Sequence, residues 1–189
     1  MLALRAALRL AIGGEFDAEV RAAISQLSGV VAVHDMRRPI VGGQPIDHLV
    51  VAPAGVFVVD SVVCSAKVSY DSEGVLIDKG RHRGRDPMVD HVAQETAAVA
   101  DLAKPVPARG LIVFRDLLSL PSEIRAGRVT IKGVQLLTLP LLASVLEEAG
   151  SVSEVETVLE RLRDSFEVAV PSPSDELRLE RLHELAGDH

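Results

Sequence analysis

Residues 46–63, IDHLVVAPAGVFVVDSVV, constrain the fold more than any other stretch of this chain. Two apolar runs, Ile46–Ala52 and Val56–Val63, flank a Pro-Ala-Gly turn. Short β-branched runs bounded by turn residues read as buried strands joined in a hairpin. Each run carries a single aspartate, Asp47 at the start of the first and Asp60 near the end of the second. If Val51 pairs with Val56, Asp47 stands directly across from Asp60 on one face. A three-residue loop would shift the register by one and send the two to opposite faces. In the first register the two Cβ atoms lie about 5 Å apart. Two such anions repel unless a cation sits between them, and carboxylate oxygens suit Mg²⁺ or Mn²⁺. A hard ion there would activate water and offset charge on a phosphodiester. The competing reading is structural: Asp47 as a strand-start cap or turn partner, and Asp60 as a strand end.

Around this hairpin the pattern alternates between helix and strand. Met1–Ile12 reads as a short amphipathic helix, because Arg5 and Arg9 break the apolar stretch and no small-residue cleavage site follows. Gly13-Gly14 separates it from a second helix, Glu15–Leu27, with Phe16, Val20, Ala23, Ile24 and Leu27 at helical spacing. Val30–His34 is a short strand and Arg37–Pro45 a loop. Lys67–Tyr70 and Val75–Ile77 are further strands around a turn at Asp71–Gly74. Lys79–Arg85 (KGRHRGR) is a basic loop, and Pro87 opens a helix over Met88–Ala103. Leu111–Arg115 is a buried strand and Val129–Ile131 another. Leu139-Pro140 opens a helix to Ala149, and Ser153–Phe166 is a helix whose Ser153 and Glu156 have capping-box spacing. Val170–Ser174 is a linker before a helical tail, Asp175–Leu185. This order predicts an α/β fold with a mixed central β-sheet flanked by helices. The divisions are an N-terminal amphipathic helix over 1–13, a central domain over 14–168, and a linker with a C-terminal helix over 169–189.

Composition narrows the function classes. A 48% hydrophobic content is enough for one domain with a core, and no window reaches 18 uncharged apolar residues, so no membrane span is expected. The formal net charge of -7 argues against a generally basic coat for nucleic acid, though not against a local groove. The single cysteine, Cys64, makes neither an internal disulfide nor a zinc site, which suits a reducing cytoplasmic compartment. Lys79, Arg81, Arg83 and Arg85 are candidate phosphate contacts to DNA or RNA, with a solvated loop as the competing reading. His34, His82 and His91 lack zinc spacing, and His48, adjacent to Asp47, should point to the other face as a packing or hydrogen-bonding residue. The two apolar termini favour self-docking, a protein partner or a homodimer.

The stretch Val33–Val68 resembles the nuclease-related domain family, NERD, placed among the PD-(D/E)XK phosphodiesterase folds. Its His-Asp is His34-Asp35, its Ile-Asp-His is Ile46-Asp47-His48, its second acidic position is Asp60, and Lys67-Val68 matches its closing pair. Weaker likeness extends over roughly Ile12 to Phe166. Asp17 falls at the acidic position of the family's early helix, and Val89-Asp90 with Gln94 matches a later one. The resemblance implies a restriction-endonuclease-like fold and a Mg²⁺- or Mn²⁺-dependent nuclease, with Asp47 and Asp60 as ligands, Asp17 as a third and Gln94 in support. One departure stands out. The family's Asp-Ala-Lys is Asp60-Ser61-Val62 here, and valine can neither orient water nor offset phosphoryl charge. Lys67 is the nearest substitute, but five residues of regular strand span about 17 Å. Lys79 or a basic-loop arginine is the other. The expected protein is therefore an impaired member, a pseudoenzyme tied to nucleic acid. The alternative is a non-catalytic protein–protein interaction module on the same fold.

Overall fold

The structure, a computed structural model, describes residues 2–37, 45–64, 66–78, 83–115, 119–148, 150, 152 and 155–168, with backbone alone at 2–13, 37, 83, 167 and 168. The tail over 169–189, Ser153, Lys79 and Arg81 lie outside the described residues. The first helix, α1, is Leu2–Ser25. Then come β1 (Val31–Arg37), β2 (Ile46–Ala52), β3 (Gly55–Val62), β4 (Lys67–Asp71), β5 (Gly74–Asp78) and β6 (Arg83–Asp86). They are followed by α2 (Met88–Ala103), β7 (Ala108–Phe114), α3 (Ser122–Arg125), β8 (Val129–Ile131) and β9 (Val134–Thr138). The last elements are α4 (Leu139–Leu146), α5 (Val155–Arg163) and the two-residue β10 (Glu167–Val168).

The expected mixed α/β architecture is present. A seven-stranded sheet runs β10-β1-β2-β3-β7-β9-β8, and a separate three-stranded sheet runs β4-β5-β6. β7 lies parallel to both β3 and β9, and the other pairs are antiparallel. Helices cover both faces, which is why β3 and β7 read as nearly unbroken apolar runs. On one face Leu49, Val51, Val56, Val58 and Ile112 join Val92 and Val99 of α2 and Val158 and Leu162 of α5. On the other, Val50, Phe57, Val59, Leu111 and Val113 join Phe16, Val20 and Ile24 of α1 and Leu142 and Leu146 of α4. Gly110 permits the close seat of α2. A Cβ there would fall 2.7 Å from Thr96 Oγ1 and 2.9 Å from Val92 Cγ1.

Several elements differ from the sequence expectation. Gly13-Gly14 does not divide α1, which is continuous, since a glycine in a helix interior costs only about 1 kcal/mol. The end of the basic stretch is strand β6, drawn into the small sheet by antiparallel pairing with β5. α3 and β9 were not foreseen. β9 follows β8 through a turn with positive φ at Lys132 and Gly133. Among the described residues no helix is long and apolar enough to cross a membrane.

Candidate functional site

The hairpin has the register that brings the aspartates together. Val51 pairs with Val56, Ala52 with Gly55 across a two-residue turn, and His48 with Val59. One more step along the ladder sets Asp47 against Asp60, and their side chains share a hydrogen bond. By alternation with Leu49 and Val58, both lie on the α2 and α5 face. Ser61 fixes Asp47: its N–H donates to Asp47 Oδ2 at 2.9 Å and its hydroxyl to the same oxygen at 3.2 Å.

Burial pushes the Asp60 carboxyl up to about 8, and the negative charge of Asp47 and the hydrogen bond to it push the same way. Burial also raises Asp47, and the Ser61 N–H pulls the other way. Two carboxyls in such a pair cannot both ionise cheaply, so they hold one proton between them near neutral pH. Among the described residues, the influences on Asp60 are burial and Asp47, with no cation.

Val62 stands where the resemblance expects a lysine. It lies two residues beyond Asp60 on the same face, pairs with Phe114 and is half-buried. A lysine there would start on the carboxylate side about 7 Å along the strand. Lys67 stands elsewhere. It is the exposed first residue of β4, in the small sheet, opposite Asp78.

Asp17 does not join the pair. It projects from α1 on the opposite face, where Arg21 Nε holds its Oδ2 at 2.8 Å and His48 Nε2 lies 3.3 Å from its Oδ1. Its place on that face follows from the helix packing over Phe57 and Val59. Arg21 Nη2 also reaches Asp35 Oδ2 at 2.8 Å. Asp35 has a φ of 54°, which lets it turn toward α1 beside its neighbour His34. His48 is fully buried, its Nδ1 2.9 Å from His34 Nδ1, so one ring donates and the other accepts. Among the described residues its Nε2 has no aligned hydrogen-bond partner. Burial, then the fields of His34 and Arg21, lower His48 to about 3. His48 thus points away from Asp47, as expected from strand alternation.

Gln94 is also displaced from the expected role. It is exposed, on the solvent side of α2. The polar residue on the inward stripe is its neighbour Glu95, buried with Val89, Val92, Val99 and Ala103. The three- and four-residue spacing of those apolar positions carried that signal. Arg85 is committed to a fork on Asp71, with Nη1 and Nη2 each 2.9 Å from a carboxylate oxygen. Arg83 lies opposite Asp78 in β6.

Asp47 and Asp60 can supply two oxygen ligands, a number compatible with a largely hydrated Mg²⁺. Among the described residues no group of three or more His, Cys, Asp or Glu side chains is arranged to hold a metal. A cleft of about 290 Å³ between Tyr70, Asp71, Arg128, Thr130 and Ile131 is lined by neither aspartate. Comparison with family models, with curated proteins and with solved structures found no match to the chain.

Proposed function

We propose that the chain is a degenerate nuclease-related domain, NERD-like in descent, that associates with nucleic acid and is impaired in phosphodiester cleavage. The observation that carries this reading is the convergence of Asp47 and Asp60 on one face with Val62 in the lysine position. When bound, Mg²⁺ or Mn²⁺ would be held by these two carboxylates and would offset charge on a phosphodiester. The chain's own part is to present them. Ser61 orients Asp47, and the β2–β3 register sets Asp60 beside it. Among the described residues no cation acts on Asp60 to steady the attacking water and the phosphoryl oxygens, a loss that costs on the order of 10² or more in rate. Lys79, Arg81 and Arg83 are the phosphate contacts of this reading, since Arg85 is engaged by Asp71. Gln94 has no part in it.

The second reading is a protein–protein interaction module that keeps the fold and has lost the chemistry. It is favoured by the uncompensated acidic pair and by the net charge of -7. One experiment separates the two. The protein is incubated with plasmid and with short single- and double-stranded DNA and RNA in Mg²⁺ and in Mn²⁺, beside Asp60→Ala, and Mn²⁺ binding is followed by calorimetry. The nuclease-related reading expects Mn²⁺ binding that Asp60→Ala abolishes, with slow cleavage or retention of nucleic acid at about 50 mM salt. No Mn²⁺ binding, no retention and no cleavage would leave the interaction module.

A further inference from the structure

The cleft of about 290 Å³ beside β8 has a chemistry of its own. One wall is the end of β4 and its turn, with Tyr70, Asp71 and Ser72. The other is β8 and the residue before it, with Arg128 and Thr130. Its apolar floor is Val129 and Ile131, both part of the core. Lys132 ties the two walls together. Its Nζ lies 3.6 Å from Glu73 Oε2 in the β4–β5 turn and 2.7 Å from Asp90 Oδ1 of α2. The entry into β8 is also fixed: Arg128 N–H donates to Glu123 O at 2.9 Å, and Gln135 Nε2 donates to Gly127 O at 2.9 Å.

Three kinds of group meet in this cleft. The first is an aromatic face. The chain has four phenylalanines, one tyrosine and no tryptophan. All four phenylalanines are buried, so Tyr70 carries the one such ring with a surface for an outside partner. It packs against the core and stays half-buried, which holds the ring in place. The second is a cation, the exposed Arg128. The third is a pair of exposed hydroxyls, Ser72 and Thr130.

The carboxylates around the cleft already face donors. Asp71 Oδ1 accepts from the N–H of Glu73 at 2.8 Å and of Gly74 at 3.1 Å, and Arg85 holds both of its oxygens at 2.9 Å. Glu73 and Asp90 share Lys132, and Glu123 Oε2 accepts from the Ser122 hydroxyl at 3.1 Å. An anion approaching Arg128 therefore meets acidic groups whose charge is offset by bound donors.

A guanidinium suits a phosphate, an aromatic face suits a base, and hydroxyls suit a ribose. Together these are the parts of one nucleotide. The volume agrees, since it sits at the lower end of ligand pockets, which begin at about 300 Å³.

We propose that this cleft binds one nucleotide unit, with its phosphate on Arg128, its base against Tyr70 and its sugar hydroxyls at Ser72 and Thr130. The unit is a free nucleotide or one residue of a single strand, because a duplex keeps its base faces stacked. The site uses neither Asp47, Asp60 nor a metal ion, so it stands or falls apart from the cleavage chemistry proposed above.

Amide NMR on the full chain in EDTA tests this, with AMP, a short oligouridylate, a blunt DNA duplex and inorganic phosphate as probes. AMP or the oligouridylate should shift Ser72 and Thr130, and which of them saturates the shift identifies a free nucleotide or a strand. Inorganic phosphate should bind at least about tenfold more weakly, and the duplex should leave both residues unmoved. Arg128→Gln and Tyr70→Leu should each weaken binding about fivefold or more, whereas Tyr70→Phe keeps the ring and should stay within about twofold. Arg128 is exposed, so Arg128→Gln reads the site even where Tyr70→Leu fails to fold. No shift at Ser72 and Thr130 with AMP or the oligouridylate overturns the proposal. Binding that survives Arg128→Gln, or inorganic phosphate that matches AMP, overturns it as well.

Discussion

Asp60 shares a hydrogen bond with Asp47 across the β2–β3 ladder and keeps its proton up to about pH 8. An unfolded aspartic acid releases its proton near about 4. Between these limits the native state binds more protons than the unfolded one, so the Asp60 contribution to stability falls as pH rises. His48 slopes the other way. Its native value near 3 lies below its ordinary 6.5, so its contribution is present above 6.5 and is lost as pH falls toward 3.

Those opposed slopes offset one another between about 4 and 6.5, and above that the slope of the Asp60 and Asp47 pair, both raised by burial, is left. The melting temperature should therefore decline as pH rises from 6.5 to 8. Asp60→Asn keeps a hydrogen bond to Asp47 without needing a proton, and should abolish the decline. Parallel curves for the two proteins in a thermal-denaturation series would refute the shared proton.

On the acid side the slope opposed to that of Asp60 comes from His48, with His34 shifted the same way by burial. His48→Gln keeps a polar side chain between His34 and Asp17 but cannot titrate. It should cost about 1–2 kcal/mol at pH 7 and, with the offset to Asp60 gone, gain stability relative to the parent as pH falls from 6.5 toward 4. Chemical denaturation at pH 7 and pH 5 reads both effects, and an unchanged acid limb would rule out His48 as the cause.

Val62→Lys places an amine on the face that carries Asp60, at a half-buried position with access to solvent. It should raise metal-dependent cleavage on the order of 10² over the parent, an increase that Asp60→Ala removes. It should also lower the Asp60 carboxyl and weaken the alkaline decline. A gain in cleavage that survives Asp60→Ala would count against this site.

Two glycines should respond in opposite directions to alanine. At Gly55 φ is 140° and a Cβ would sit 2.6 Å from Pro107 O, so Gly55→Ala should destabilise by about 2–3 kcal/mol. Gly14 is exposed in α1 with nothing within 4 Å of an added Cβ, so Gly14→Ala should stabilise by about 0.5–1 kcal/mol. Urea unfolding of the two variants beside the parent measures both.

The hairpin was legible from its two apolar runs around a Pro-Ala-Gly turn, while its register stood open between two loop lengths until the structure paired Val51 with Val56. Asp47 and Asp60 came with it, since alternation fixes their face once Val51 meets Val56. The position of Asp17 was not legible. A helix residue's facing depends on which side of the sheet its helix packs, and no local pattern states that. Gln94 was placed by resemblance, whereas the apolar spacing of α2 pointed to Glu95. β9 was hidden because Val134–Thr138 runs straight into α4, with no turn residue to mark the boundary. The pairing of His34 with His48 needed the strand register, which links residues 14 apart.

The small sheet β4-β5-β6 interrupts the path from β3 through α2 to the parallel strand β7. Its hairpins leave the C-terminal end of β3, just beyond Asp60, and return before α2 begins. The crossover itself is made by α2 alone. The turns and outward positions of these three strands can therefore change without rethreading the main sheet, as long as Val68, Val75 and Ile77 keep their place in the core shared with α2.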